Sequence, residues 1–224
     1  AEKYLDLFRD TKDELKKLQE AALAEIVIGA SYTYSKYSLA DVLVPYQVTH
    51  PNVKFRIVND SSDALYRQVL DGSVDVGFLR GDYEGPVNRT LLGETRGFLV
   101  SKTPVELSAL PGMHRLDYKT NEKTTGILTR WWEMCFANAY PSGMMVGHID
   151  GAWKLIDEGM GYALSFLPEN FENRYQLTLT PLTWPDETPV TRRTWFVYPK
   201  EKRLPEKLAD FIKYTESLSA KVSE

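Results

Sequence analysis

The sequence predicts an α/β fold of two lobes joined by two crossing strands, with a separate helix in front. Three observations carry this. Buried-strand and helix patterns alternate in succession between residues 25 and 79. The pattern then shifts to a second α/β unit of roughly a hundred residues, the size of a compact lobe. A late strand and a closing helix, within 191–217, can return the chain to the first unit. With 224 residues and 43% hydrophobic content there is enough apolar side chain to fill such cores.

From Glu2 to Ala24 the chain is charged and free of Gly and Pro. Tyr4, Phe8, Thr11, Leu15, Leu18 and Ala22 recur there at spacings of 4 and 3, which is the seam of a helix packing along another helix. A simple amphipathic helix lying on its own domain fits the same pattern. Glu25-Ile26-Val27-Ile28-Gly29-Ala30 is a short apolar run of the kind a fully buried strand shows. A helical stretch follows Ser31-Tyr32-Thr33-Tyr34-Ser35 through Val48, and His50-Pro51-Asn52 turns the chain. Val53–Val58 reads as the second strand. Asn59-Asp60-Ser61-Ser62 supplies N-caps to a helix over Asp63–Leu70, ended by Asp71-Gly72. Val74–Leu79 is the third strand, and strand–helix alternation of this kind gives a parallel sheet with right-handed crossovers.

The second unit opens with a long strand over Leu91–Ser101 and another at Arg115–Tyr118. A helix over Thr125–Asn138, a strand at Gly143–Gly147, a helix at Gly151–Glu158 and a strand at Tyr162–Phe166 follow. Thr191–Tyr198 is the late strand and Pro205–Ser217 the closing amphipathic helix. The boundaries are then 1–24 for the leading helix, 25–94 with 195–224 for lobe I, and 95–194 for lobe II.

Composition narrows the function. Acids exceed bases by 31 to 27, a net charge of −4, which argues against this segment gripping a phosphate backbone by itself. The single cysteine, Cys135, cannot form an internal disulfide, and its apolar neighbours point to a buried, inert thiol. No apolar run approaches the ~20 residues that span a bilayer. His50, His114 and His148 lack metal-ligand spacing, and no nucleophile elbow, zinc-protease helix or phosphate loop is written in the chain. Neither catalytic residues, metal nor cofactor are expected.

Three ordered stretches carry a family resemblance. The first is Ile26–Ser31 followed by a helix that ends at His50-Pro51-Asn52-Val53. The second is Val69-Leu70-Asp71-Gly72-Ser73-Val74-Asp75 running into Val76-Gly77-Phe78, and the third is Leu155–Leu164 around Gly159-Met160-Gly161. In this order they resemble the effector-binding domain of LysR-type transcription regulators from Glu25 to the C-terminus. Arg192–Tyr198 with Leu204–Tyr214 is similar to that family's closing strand and helix. The aromatic run Ser31–Tyr37 and the late position of Pro168 depart from the family pattern. The resemblance implies two Rossmann-like lobes in the type 2 periplasmic-binding-protein arrangement. It also implies a pairing role for the leading helix in a homodimer or homotetramer. DNA contact would belong to a winged helix-turn-helix domain that nothing in this chain matches, and the protein would be cytoplasmic, with no membrane partner.

Ligands of open α/β clefts meet the carboxyl ends of strands and the N-termini of helices, where unpaired N–H groups and the dipole favour anions. Those positions are Ser31, Tyr32 and Thr33; Ser61 and Ser62; and Leu79 and Arg80 in lobe I. In lobe II they are Lys119, Thr120, Thr124, Thr125, His148, Ser165 and Phe166. Hydroxyl-rich helix starts beside Arg80, Lys119 and His148 suit a small carboxylate or another anion. Each has a plainer reading: Ser62 as a helix cap, Arg80 as a solvated loop charge, His148 as a structural ring. Tyr32, Tyr34 and Tyr37 either wall the site or cover the first helix. The function expected is sensing of a small effector for a transcription regulator; the alternative is an extracytoplasmic solute-binding protein of the same two-lobed plan.

Overall fold

The computed structural model describes residues 11–12, 25–136, 138–168, 170–200 and 204–219. Apart from Thr11 and Lys12, the leading helix expected over 1–24 lies outside the described residues.

Strand β1 (Glu25–Ala30) lies between β2 (Lys54–Asn59) and β3 (Val76–Arg80) in a parallel arrangement. The connections are α1 (Tyr32–Tyr37), α2 (Leu39–Thr49) and α3 (Ser62–Asp71). Both β3 and, beyond Glu25, β1 are buried throughout, as strands covered on two faces must be. Alternation sorts their side chains between two layers. Ile26, Ile28 and Phe78 meet Tyr34, Tyr46 and Phe211 on one face, while Val27 and Leu79 meet Leu65 and Val69 on the other. Asp75 pins the start of β3 to β1: its backbone N–H donates to the Val27 carbonyl and its carboxylate accepts from the Val27 N–H, both at 2.9 Å. Gly72 stands at the end of α3 with φ +80°, the left-handed turn that lets the chain double back into this contact.

Antiparallel neighbours complete the first sheet. Strand β4 (Val87–Ser101) and β9 (Thr191–Pro199) pair with each other, and β9 also pairs with β3. Helix α6 (Glu206–Ser219) presses Leu208, Phe211 and Ile212 into the first core. Along β4 the partners change: Val87–Arg96 face β9, and Gly97–Ser101 face β7 (Tyr162–Phe166), with β8 (Thr178–Pro181) on the other edge. The second lobe adds the parallel pair β5 (Leu116–Tyr118) and β6 (Met144–Val146), tied to β7 by a bridge between Arg115 and Tyr162. Helices α4 (Glu122–Phe136) and α5 (Ile149–Asp157) cover it. Leu99, Trp131, Trp132 and Leu164 fill one layer, and Val100, Trp153, Ile156 and Ala163 the other. Among the described residues each core cluster belongs to one lobe. The architecture is therefore two α/β lobes joined through β4 and β9.

Arg115 is buried in lobe II and held by Asp117 through two 2.7 Å bonds, from Nε and from a terminal nitrogen. Its guanidinium also lies 3.5 Å from the centre of the Tyr140 ring. Gly161 passes so close to the segment leading into β5 that a Cβ there would sit 2.0 Å from the His114 carbonyl oxygen, and its φ of +140° disfavours other residues as well. This explains the second glycine of the Gly159-Met160-Gly161 stretch.

Several details differ from expectation. The helical stretch after Ser31 breaks at Ser38, whose N–H closes α1 on the Tyr34 carbonyl before its backbone leaves the helical region at φ −131°. Strand β8 escapes a pattern search because Thr-Leu-Thr-Pro is short and stands near Pro185. Cys135 is exposed rather than buried. At the end of α4 the neighbouring Phe136 turns in against Trp131 and Trp132, leaving the thiol outside.

Candidate functional site

A cavity of about 260 Å³ lies between the lobes, and both contribute to its wall. Lobe I presents the start of α1. Ser31 Oγ accepts the Tyr34 N–H at 3.4 Å, and Tyr32 and Thr33 follow it along the wall. At the start of α3, Ser61 is the cap, accepting the Ala64 N–H at 3.3 Å. Of the Asn59–Ser62 cap candidates it is Ser61, not Ser62, that caps the helix. The Ser62 hydroxyl is instead wholly buried and accepts the Arg80 N–H at 3.0 Å, so it ties the helix start to the end of β3.

Lobe II contributes Lys119 and Thr120 after β5, Ser165 and Phe166 at the end of β7, and His148. His148 occupies the N-cap of α5 without a capping bond. Its ring instead stacks on Tyr32 across the cleft, centroids 4.2 Å apart. Beside it Lys36 Nζ meets Asp150 at 2.7 Å, and the Asn170 side-chain amide donates to the Tyr37 carbonyl, so the mouth is bridged by paired groups.

Three expected residues do not line the cavity. Leu79 alternates with Arg80 and therefore points into the opposite core layer. Thr124 is buried behind the wall, where its hydroxyl accepts from an Arg192 terminal nitrogen at 2.9 Å. Thr125 lies one position further along α4 and its hydroxyl donates back to the Asn121 carbonyl at 3.2 Å. Of the three tyrosines, Tyr32 and Tyr37 line the cavity, whereas Tyr34 is buried and stacks on Phe78.

The floor holds what sequence reasoning missed. Arg192 lines the cavity together with Tyr118, Asn121, Trp153 and Leu167. In the antiparallel register Arg80 faces Thr194, and Arg192 stands two residues before Thr194 on β9. Paired and i±2 positions share a face, so both guanidinium stems leave the sheet on one side. Arg80 is buried at 4% exposure, not a solvated loop charge, and Arg192 is buried to the same degree. Burial pushes both below the ordinary arginine value, Arg80 to about 10 and Arg192 to about 9, the latter also through the charge of Arg80. Both remain cations at neutral pH. Arg192 lies over the Phe166 ring, 4.7 Å from its centre. Asn121 joins the lobes here: Nδ2 donates to the Arg80 carbonyl at 2.8 Å, and Oδ1 accepts the Thr124 N–H at 2.7 Å, capping α4. An Arg in a late strand carries no periodic or motif signal, so only the three-dimensional register reveals Arg192.

A two-lobed sheet with a lined cleft and no described helix able to cross a membrane defines a ligand-binding module of the type 2 periplasmic-binding-protein fold. Comparison with known proteins gives it a family: the LysR substrate binding domain matches residues 20–219. The chain belongs to that family, the ligand-sensing part of LysR-type transcription regulators. It is 24% identical over 217 residues to the uncharacterized HTH-type transcriptional regulator YraN of Bacillus subtilis strain 168, covering 95% of this chain and 74% of that protein. Among solved structures it resembles the effector-binding domain of QuiR in complex with shikimate, with a TM-score of 0.73 at 11% identity over 88% of this chain and 97% of the other. The BenM effector-binding domain with its effector benzoate superposes with a TM-score of 0.68 at 18% identity, over 89% and 93% of the two chains.

Proposed function

We propose that this domain binds a small anionic metabolite between its lobes and, in the full regulator, transmits that occupancy to a DNA-binding helix-turn-helix domain in the cytoplasm. The observation that carries the reading is the cleft floor, where two buried arginines meet hydroxyls and helix starts contributed by both lobes. Ser31, Tyr32, Thr33, Ser61, Lys119, Thr120, His148, Ser165 and Phe166 would surround the ligand, with Ser62 supporting Arg80 from behind. Shikimate and benzoate, the ligands of the two structural relatives, both carry a carboxylate, which favours an anion here.

The two lobes, 25–94 with 195–224 and 95–194, would change their relative tilt about the paired segments Glu94–Arg96 and Thr191–Arg193. Ligand contact with both lobes stabilises one tilt, and paired subunits would carry that change outward. Calorimetric titration with a panel of small carboxylates, repeated on Ser31→Ala and His148→Ala, tests the site. Small-angle scattering with and without a bound carboxylate tests the closure. Binding lowered at least fivefold by either substitution is expected; absence of binding by every anion tried would sink the reading.

A further inference from the structure

Charge at the floor is unbalanced in a way that specifies the ligand. Arg80 and Arg192 share a face of the sheet, are almost wholly buried, and among the described residues neither meets a carboxylate. Among the described residues the Nε atom of each has no hydrogen-bond partner, and the indole nitrogen of Trp153, whose side chain also lines the cavity, has none either. The phenol of Tyr34, whose burial raises its pKa, offers Arg80 no counter-charge at neutral pH. Among the described residues that line the wall Asp60 is the one acidic side chain, and its carboxylate accepts the Ser61 N–H at 2.7 Å. A buried charge without a partner is costly, and two like charges in one cavity more so.

We infer that the cleft selects a small molecule bearing at least two carboxylates, one for each of the Arg80 and Arg192 guanidiniums. The inference rests on the anion-sensing reading above and narrows it from charge sign to charge number. The two arginines occupy diagonal positions on neighbouring strands, where stems stand ~7–8 Å apart. Two buried positive charges without a counter-charge are matched by two carboxylates, whereas a single carboxylate leaves one of them unmatched. A guanidinium engages a carboxylate through two parallel N–H donors, so each new pair supplies the missing counter-charge. At about 260 Å³ the cavity falls just below the ~300–1,000 Å³ of ordinary small-molecule pockets, so the ligand is compact. The remaining wall, with Ser31, Thr33, Thr120 and Ser165, offers hydroxyls to whatever polar groups the molecule carries between its acids.

The test is a ranking. Dissociation constants are measured by calorimetry at fixed ionic strength for butyrate, for succinate and tricarballylate, and for inorganic phosphate and sulfate. Succinate or tricarballylate is expected to bind at least tenfold more tightly than butyrate. Arg80→Gln and Arg192→Gln should each remove that advantage, while the exposed-site control Lys102→Gln, which changes net charge equally, should retain it. If a Gln variant fails to fold, Arg80→Lys and Arg192→Lys keep the charge but lose the fork, and a weakened ranking is again expected. The wild-type ranking also stands by itself. Equal affinity for butyrate and succinate overturns the two-carboxylate inference and leaves the anion-sensing reading intact. Phosphate or sulfate binding more tightly than every polycarboxylate overturns it too, because the charge then sits on one centre. If no anion of any kind binds, both readings fall.

Discussion

Arginine is buried in two different ways in this molecule. In lobe II, Arg115 has its own carboxylate, Asp117, in two-bonded geometry and an aromatic ring, Tyr140, against its face. At the cleft floor, Arg80 and Arg192 are buried to the same degree but have, among the described residues, a threonine hydroxyl and the Phe166 ring between them and no carboxylate. The first arrangement meets its charge within the chain, although one terminal nitrogen of Arg115 has no hydrogen-bond partner among the described residues, and it holds a corner of the lobe together. The second has no carboxylate beside it among the described residues. On the two-carboxylate proposal, a buried cation announces a binding site by the counter-charge it lacks rather than by its burial.

The contrast can be broken experimentally, beginning where the effect is largest. Arg115→Gln takes the counter-charge from Asp117, leaving it the Gly143 N–H, and should lower stability by about 3 kcal/mol. This is the low end for a broken buried pair, since the Asp117 side chain keeps 24% of its surface in water. Chemical denaturation of the variant gives the value, and a loss under 1 kcal/mol would mean that the pair is no more than decorative. Asn121→Ala removes a helix cap and a bond between lobes at once, so about 1–2 kcal/mol should be lost in the same assay. Arg192→Met should act in the opposite direction: with no ligand present, stability holds or rises by up to about 1 kcal/mol, because an unpaired buried charge has been removed. A loss comparable to that of Arg115→Gln would show that the floor arginines serve the fold after all. Smallest of all, Lys36→Ala at the cleft mouth should change stability by under about 0.5 kcal/mol, as suits a pair whose lysine side chain is 42% exposed. Melting curves that moved further would make the mouth a structural clasp.

Much of this was legible in the chain itself. The apolar runs Ile26–Ala30 and Tyr162–Phe166 announce strands because burial on both faces leaves no room for polar residues. Asp71-Gly72 and Gly159-Met160-Gly161 announce turns because their backbones need conformations that side chains oppose. The site was half legible. Helix starts such as Ser31 and Ser61 have a sequence signature, and they do line the cavity. Arg192 and Asn121 have none, since their importance comes from strand register and from a contact across lobes some forty residues apart in sequence. Leu79 went astray for a related reason: a strand end names the neighbourhood, but alternation decides which of two adjacent side chains looks into it.

The partner change along β4 has a consequence for how the chain assembles. Residues of lobe II run without interruption from Gly97 to Val190, whereas lobe I waits for β9 and α6 from the last part of the sequence. Lobe II can therefore reach a native core early, with its contacts comparatively local. Until β9 slides between β3 and β4, lobe I holds a three-strand sheet with an open edge and an uncovered face, the kind of intermediate prone to mispairing. The same insertion that creates a cleft for a ligand thus makes one lobe the slow step in building it.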